Sequence, residues 1–388
     1  MRATQAHIHL ENLSHNIELI KQFIKNNAKI CIPVKADAYG HGATRIAIAA
    51  IKSGADFLAV ASVQEGIELR EAGIVAPILC LSLATPDEIP SIIVHSITPL
   101  VFDKDFIKKL SSAAKSMHRS IPVHLKIDTG MGRIGCKPED AVQIAQLINN
   151  EEGLYLEGVC THFAASDSIE KSDIEYTNFQ FKRFTNAVEN IKKEGINPGI
   201  VHCVNSGAVL LQEKMHCDMV RPGIIVYGYF PDEGSENECI KNYLEQKLNK
   251  QIEFKPLMEL ISQVVTIKRV KKGESISYGR TWIAEEDTDI ATIPIGYADG
   301  LNRKLSGLFV TINGKKFPIV GRICMDQCMV NLGTDHDVKL WDNVTFFGYK
   351  SECLNAAHLA KKIGTIPYEI TCGINKRVPR IYVNTSAN

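Results

Sequence analysis

Eight short apolar segments, residues 30–34, 57–61, 77–83, 97–102, 123–128, 156–163, 200–205 and 217–220, alternate with stretches of helical spacing. Parallel neighbours need crossover helices, and strands buried on both faces read as continuous apolar runs, so this alternation predicts a closed (β/α)8 barrel. Leu13, Ile17, Ile20 and Ile24 recur at helical spacing and predict a helix ahead of the first barrel strand. Chemistry on such a barrel belongs at the carboxyl ends of the strands. Lys35, Lys126, Asp128, His162, Asn205, Ser206 and Arg221 all fall at or just beyond those ends. The competing reading is that each merely ends a buried strand, where polarity becomes tolerable.

After Tyr229 the pattern changes. Residues 231–251 are polar and read as a connection, loop-like or weakly helical. From Met258 the signals are those of strands: 264–267, 290–295, 309–314 with an Asn313-Gly314 hairpin turn, 344–347 and 378–383, interrupted by one helical stretch at 354–363. A chain of 388 residues suits two domains. The expected fold is therefore α/β, an N-terminal barrel over residues 1–232 followed by a mainly antiparallel β domain over residues 233–388.

Composition excludes several classes of function. With 44 basic and 44 acidic residues the net charge is zero, which points away from nucleic acid and from anionic membranes as partners. No stretch approaches the ~20 apolar residues that span a bilayer. The first ten residues, with Arg2, His7 and His9, lack the apolar core of a secretion signal, so a cytoplasmic location is expected. The 11 cysteines are dispersed without a C-x-x-C pair, a pattern for neither a disulfide scaffold nor a metal site.

The run Val34-Lys35-Ala36-Asp37-Ala38-Tyr39-Gly40-His41-Gly42 sets a lysine at a strand end before a glycine-punctuated turn. That amine either snorkels to solvent or is a desolvated nucleophile able to condense with a carbonyl cofactor. The tyrosine beside a glycine turn favours the second reading, since it suits a phosphate near the amine. Arg133 lies in the glycine loop Asp128-Thr129-Gly130-Met131-Gly132-Arg133, where a guanidinium can grip a carboxylate through two parallel hydrogen bonds. Asn205-Ser206-Gly207 and Arg221-Pro222-Gly223-Ile224 end the last two strands, the usual phosphate site of a barrel. Ser206 reads equally as a helix N-cap.

These motifs resemble those of alanine racemases, pyridoxal-phosphate enzymes built on a barrel plus a β domain, and the likeness runs over nearly the whole chain. The resemblance implies pyridoxal 5′-phosphate as cofactor, an amino acid as substrate and a homodimer with shared active sites. It makes Lys35 the cofactor lysine and one catalytic base. Ser206, Gly223, Ile224, Tyr39 and Tyr368 would hold the phosphate, with Asn205 beside them. Arg221 would face the pyridine nitrogen, His162 the cofactor ring, and His202 would bond the arginine; a satisfied core histidine is the competing reading for His202. Arg133 would contact the substrate carboxylate. Lys126 matches a lysine that is carbamylated in many members and positions that arginine.

In the second domain the motifs Ser277-Tyr278-Gly279-Arg280, Gly296-Tyr297-Ala298-Asp299 and Arg322-Ile323-Cys324-Met325-Asp326 match the family. Taken singly, each tyrosine is an ordinary strand residue. By resemblance Tyr278 is the second base, the Met325 N–H binds the substrate carboxylate, Asp326 supports it and Tyr297 narrows the entrance, all in the partner's site. The implied reaction is interconversion of L- and D-alanine, supplying D-alanine for peptidoglycan. A broad-specificity amino-acid racemase on the same scaffold is the alternative; a decarboxylase of similar architecture would carry an acid at Arg221, and a barrel-only cofactor carrier would lack Tyr278. Two departures stand out: His7 and His9 flank Ile8 where the family has an Ile-Asp-Leu pattern, and Trp341 fills a turn usually given to glycine.

Overall fold

The computed structural model describes residues 2–25, 27–235 and 238–383. The chain opens with β1 (Gln5–His9) and the helix Leu10–Lys21, whose Leu13, Ile17 and Ile20 are fully buried, as their spacing predicts. Eight parallel strands follow: β2 (Lys29–Pro33), β3 (Phe57–Val60), β4 (Ile78–Cys80), β5 (Thr98–Val101), β6 (Ile121–Lys126), β7 (Leu154–Cys160), β8 (Ile200–His202) and β9 (Met219–Val220). They pair in the order β8-β7-β6-β5-β4-β3-β2-β9. A parallel bridge between Val204 and Val220, with the Arg221 N–H donating to the Val204 carbonyl at 2.9 Å, closes the ring. Cys31, Phe57, Ala59, Leu79, Leu100, Cys160 and Met219 form an apolar cluster of their own, the packed lumen. The predicted barrel is the observed one.

The second sheet is built from β10 (Met258–Gln263), β11 (Thr266–Val270), β14 (Thr288–Ile293), β15 (Phe309–Ile312), β16 (Lys315–Val320), β17 (Cys328–Gly333), β18 (Asn343–Phe347) and β19 (Arg380–Val383), with a side ribbon of β12 (Ser275–Ile276) and β13 (Trp282–Ile283). Its pairings are antiparallel except one, as expected for this domain. Asn313 and Gly314 turn the β15–β16 hairpin with φ of 49° and 76°, the left-handed pair that an Asn-Gly turn requires.

At four places the structure adds to or departs from the sequence reading. β1 joins the second sheet, antiparallel to β10 and parallel to β19, because Ala6 and Ile8 bury fully there. The expected strand over 264–267 is interrupted, β10 ending at Gln263 and β11 beginning at Thr266. Within 231–251 lies the helix Ile240–Leu248, whose first N–H groups are taken by the carboxylate of Asp232, donated from Cys239 at 2.7 Å and Ile240 at 2.9 Å. That cap sits too far upstream for a local pattern to show it. The helix expected over 354–363 is present as Ala356–Ile363, and a second, Pro367–Cys372, follows it with proline in its first turn. At the first departure, Glu259 of β10 pairs with His7 in register and lies 3.4 Å from His9 Nε2, so the acid comes from the neighbouring strand.

Trp341 has a φ of 74° and an exposed side chain, a left-handed conformation that a bulky L-residue adopts only at a cost. Trp341→Gly is expected to stabilise the protein by about 1 kcal/mol, read as a rise in denaturant midpoint. A lower midpoint would show that the indole contributes more than its backbone costs.

Candidate active site

A cavity of about 470 Å³ opens at the carboxyl ends of the barrel strands. Lys35, Tyr39, Lys126, Arg133 and His162 line it from the first strands, and Asn205, Ser206, Arg221 and Gly223 from the last. Tyr368 reaches it from the helix Pro367–Cys372. His202 and Ile224 lie fully buried outside the lining, beside Arg221 and Gly223 respectively. The structure thus gathers the predicted barrel residues into one place. It does not bring Tyr278, Tyr297, Met325 or Asp326 there; Tyr278, Tyr297 and Met325 are exposed at 70%, 43% and 53% on the β domain.

β2 delivers Lys35, and the turn after it is unusual. Ala36, Asp37, Ala38 and Tyr39 have φ of 52°, 53°, 53° and 54°, a short left-handed helical turn made without glycine. Each such residue costs about 1–2 kcal/mol, so the turn persists only where its surroundings hold it. The Ala36 N–H donates to Glu65 Oε1 at 2.7 Å, and the Ala43 N–H to Asp37 Oδ1 at 2.8 Å. Arg380 Nε donates to the Gly40 carbonyl at 2.9 Å. Gly40 has a φ of 84°, and a Cβ there would sit 2.2 Å from the Thr371 carbonyl oxygen, so the helix Pro367–Cys372 rests directly on the turn. Tyr39 stacks within 4.5 Å of Tyr227 and 5.6 Å of Tyr368, ring centre to ring centre.

Glu65 was missed as a site residue, although Ser62-x-x-Glu65 just after a strand end is a capping-box signal. It closes that box on the helix Val63–Glu71 and uses its other oxygen to accept the Ala61 N–H at 2.7 Å. One carboxylate therefore ties the end of β3 to the backbone next to Lys35. Gln180 was also missed and carries no local signal: fully buried, it donates to the His162 carbonyl at 3.2 Å and accepts the Ala164 N–H at 2.9 Å.

The Arg133 loop is shaped by Asp128, whose carboxylate accepts the N–H groups of Gly130 at 3.0 Å and Gly132 at 3.1 Å. The Tyr176 hydroxyl donates to the Gly130 carbonyl at 2.8 Å. At the far rim Asn205 is the N-cap of the helix Ser206–Leu211, accepting from the Ala208 N–H at 3.1 Å. The N-cap reading of Ser206 therefore falls, and its hydroxyl is left to accept the Gly223 N–H at 2.7 Å.

Lys35, Lys126, Arg133 and Arg221 surround the cavity against one lining carboxylate, Asp167. Burial, and then Arg133, lowers the pKa of Lys35, with Glu65 opposing. Burial brings Lys126 down to about 8, helped by Arg221 and Arg133. His162 is held well below the ordinary histidine range by burial and by Arg221. Burial raises the phenols of Tyr39 and Tyr368, which stay protonated donors. Such a cavity suits a small anionic ligand and sets beside it an amine whose pKa is lowered.

A barrel with this rim, joined to a β domain that packs a helix onto the lysine turn, defines a two-domain barrel enzyme with a lysine at its mouth. Residues 8–231 match the family model for the alanine racemase N-terminal domain, and residues 257–382 that for the C-terminal domain. An alanine racemase from Treponema denticola is 54% identical over 388 residues, covering 99% of each chain. The solved alanine racemase of Clostridium difficile 630 superposes with a TM-score of 0.91 at 39% identity, over 99% of this chain and 97% of that one. The Bacillus anthracis alanine racemase, solved with bound L-Ala-P, gives 0.89 at 35% identity over 99% and 96%. The chain belongs to the alanine racemase family and is an amino-acid racemase, an isomerase.

Gly40→Ala combines left-handed strain with a backbone clash, and should cost about 2–4 kcal/mol of stability. Gly73 has a similar φ of 83° with nothing within 4 Å of the added carbon. Gly73→Ala is therefore the control, expected to cost about 1 kcal/mol. Equal losses in urea unfolding would mean that the contact with Thr371 contributes nothing.

Proposed function

We propose that this protein is a pyridoxal 5′-phosphate-dependent racemase that interconverts L- and D-alanine with two bases, Lys35 and the partner subunit's Tyr278, and supplies D-alanine for peptidoglycan. The observation that carries the reading is the single cavity in which an amine of lowered pKa faces a hydroxyl-and-backbone cradle across a ring of cations. Those residues fit the cofactor. Ser206, Tyr39 and Tyr368 offer hydroxyls at the phosphate end, and a Cβ at Gly223 would lie 3.1 Å from the Tyr39 hydroxyl and 3.6 Å from Ser206 Oγ, so glycine keeps that floor open. Asn205 lines the same cavity, and Ile224, next to Gly223, would offer its N–H to the phosphate. His162, which lines the same cavity, would lie against the ring.

When bound, pyridoxal phosphate supplies the electron sink that makes the substrate's α-proton removable. Lys35 tethers it and then moves a proton on one face of the α-carbon, a task its lowered pKa favours near neutrality. The partner subunit's Tyr278 serves the opposite face, which one fixed group reaches poorly. Arg221 can only donate hydrogen bonds, so it would leave a ring nitrogen facing it unprotonated and would favour simple return of the proton. Arg133 holds the substrate carboxylate, assisted by the partner's Met325 N–H. Lys126 lines the same cavity as Arg133, and at a pKa of about 8 its amine is neutral often enough to take up carbon dioxide as a carbamate. The carbamate would turn a repelling neighbour into an ion-pair partner for that arginine.

The homodimer reading rests on exposure. Tyr278, Tyr297 and Met325 lie open on the β domain and away from Lys35, a placement that makes sense if each faces another copy's cavity. The assignment of residues 1–232 to the cofactor domain and 233–388 to the domain completing the partner's site follows from the same split. Among the described residues no helix is long and apolar enough to cross a membrane, and we place the enzyme in the cytoplasm, where the substrate is made.

Mixing two impaired variants separates this reading from its rivals. Lys35→Ala should abolish racemisation and the long-wavelength absorbance of bound cofactor, and Tyr278→Phe should slow the two directions unequally. Unfolded and refolded together, they should recover about a quarter of the wild-type sites, because half of each mixed dimer is intact. No recovery would place Tyr278 in its own chain's site. Chiral analysis of products from L-alanine, L-serine and L-lysine measures the preference, and equal rates on all three would replace alanine with a broad substrate class.

A further inference from the structure

Behind Arg221 a line of buried side chains continues into the barrel. The guanidinium donates to His202 Nδ1, and its other nitrogen donates to the carbonyls of Thr161 at 2.8 Å and Cys203 at 3.2 Å. His202 Nε2 lies 2.8 Å from His124 Nδ1, and His124 Nε2 lies 3.1 Å from Glu157 Oε2. Both rings are fully buried. A guanidinium has no lone pair to accept with, so His202 Nδ1 must be bare and Nε2 must carry the proton. That proton needs an acceptor, which fixes His124 with a bare Nδ1 and an Nε2–H, and the second N–H in turn needs the carboxylate. Every bond in the line points the same way.

The backbone is adapted to this arrangement. β6 and β7 slip register between Val123 and His124: Val123 faces Leu156 while His124 faces Gly158, so Glu157 is an extra, bulged residue. Bulges are uncommon between parallel strands and re-aim a side chain. Here the bulge turns Glu157 towards His124, whereas regular alternation would point it away from the face that Gly158 shares with the lumen residue Cys160. A Cβ at Gly158 would meet His124 Cε1 and Nδ1 at 2.7 Å, so glycine makes room for the ring. Gly199, with a φ of 63°, lets the next strand pass the Glu157 carbonyl, which a Cβ would meet at 2.1 Å.

We propose that His124 and Glu157 are positioning residues for the racemase reaction, terminating a one-way hydrogen-bond line that presents a neutral acceptor to Arg221 and fixes its orientation in the cavity. Burial and Arg221 keep His202 neutral, and burial keeps His124 neutral against the pull of Glu157. With its rear face satisfied in this way, the guanidinium is free to address a ligand with its remaining donors only in one orientation. The consequence for the reaction rests on the assignment of Arg221 to the ring nitrogen; the line itself does not.

Ring nitrogen spectra of the full chain labelled with ¹⁵N-histidine, recorded with and without pyridoxal phosphate and assigned through His124→Gln, test it. Both His124 and His202 should be neutral Nε2–H tautomers in either state; an Nδ1–H or a charged ring at either position overturns the proposal. Glu157→Gln keeps an accepting oxygen and should leave the His202 signature unchanged and pyridoxal phosphate affinity within about threefold. Glu157→Met removes the acceptor and should shift the His202 resonances and weaken affinity about tenfold, the worth of one hydrogen bond to a charged group. If the Met and Gln variants behave alike, Glu157 has no positioning role; if the Met variant does not fold, the tautomers of the wild type and of the Gln variant decide. Failure of wild-type protein to bind pyridoxal phosphate, with the tautomers as described, would instead sink the cofactor assignment.

Discussion

A guanidinium only 6% exposed at the mouth of a barrel is the constraint around which this site is arranged. A buried cation is costly unless its donors find partners, and the rear donors of Arg221 find them in two carbonyls and two imidazoles. Burial and then its charge hold His162 and His202 well below the ordinary histidine range, and burial with its help brings Lys126 down to about 8, so the imidazoles beside it are neutral and do not compete as cations. A cavity with a buried guanidinium in its wall and a lysine whose pKa burial lowers can bind an anion and keep an amine beside it.

The second constraint is mechanical. The left-handed turn after Lys35 would unwind on its own, at about 1–2 kcal/mol for each of its residues. It is held from two sides, by Glu65 from the barrel and by the helix Pro367–Cys372 with Arg380 from the far end of the chain. The same helix carries Tyr368 to the cavity. Residues separated by more than three hundred positions thus share one small contact, and the backbone that follows Lys35 is braced by the far end of the chain. Strain of this kind gives the lysine a single direction in which to point, which a relaxed loop would not.

The barrel was legible because burial on both faces writes apolar runs into a sequence, and because a strand's carboxyl end is where polarity returns. Lys35, Lys126, His162, Asn205 and Arg221 could be read from position alone. The features that escaped share a different physics. Winding Ala36 to Tyr39 to the left depends on partners distant in the chain, and nothing in Ala-Asp-Ala-Tyr announces it. The bulge at Glu157 changes which face a residue occupies, so alternation counted along β7 gives the wrong answer beyond it. β1 lies beside the helix that opens the barrel and yet joins the other sheet, because pairing partners for Ala6 and Ile8 exist only there. The cap of Ile240–Leu248 comes from Asp232, well outside any window in which capping is read.

The β-domain residues pose the sharpest question of placement, and an ion-pair cluster answers part of it. Asp299, fully buried, takes Arg2 at 2.6 Å and Arg377 Nε at 2.7 Å, and Arg377 also reaches Asp326 at 2.5 Å. The Tyr297 N–H donates to the Cys324 carbonyl and the Ala298 N–H to that of Met325, each at 3.0 Å. Tyr297, Met325 and Asp326 are therefore one rigid unit, tied beneath by a buried carboxylate and open above. Evolution of a merely solvent-facing loop has no need of a buried anion with two arginines to hold it still, since exposed loops tolerate motion at little cost. Rigid presentation of an exposed tyrosine and an exposed methionine is what a surface needs if it must arrive in another chain's cavity already in register, with no ordering entropy left to overcome on docking.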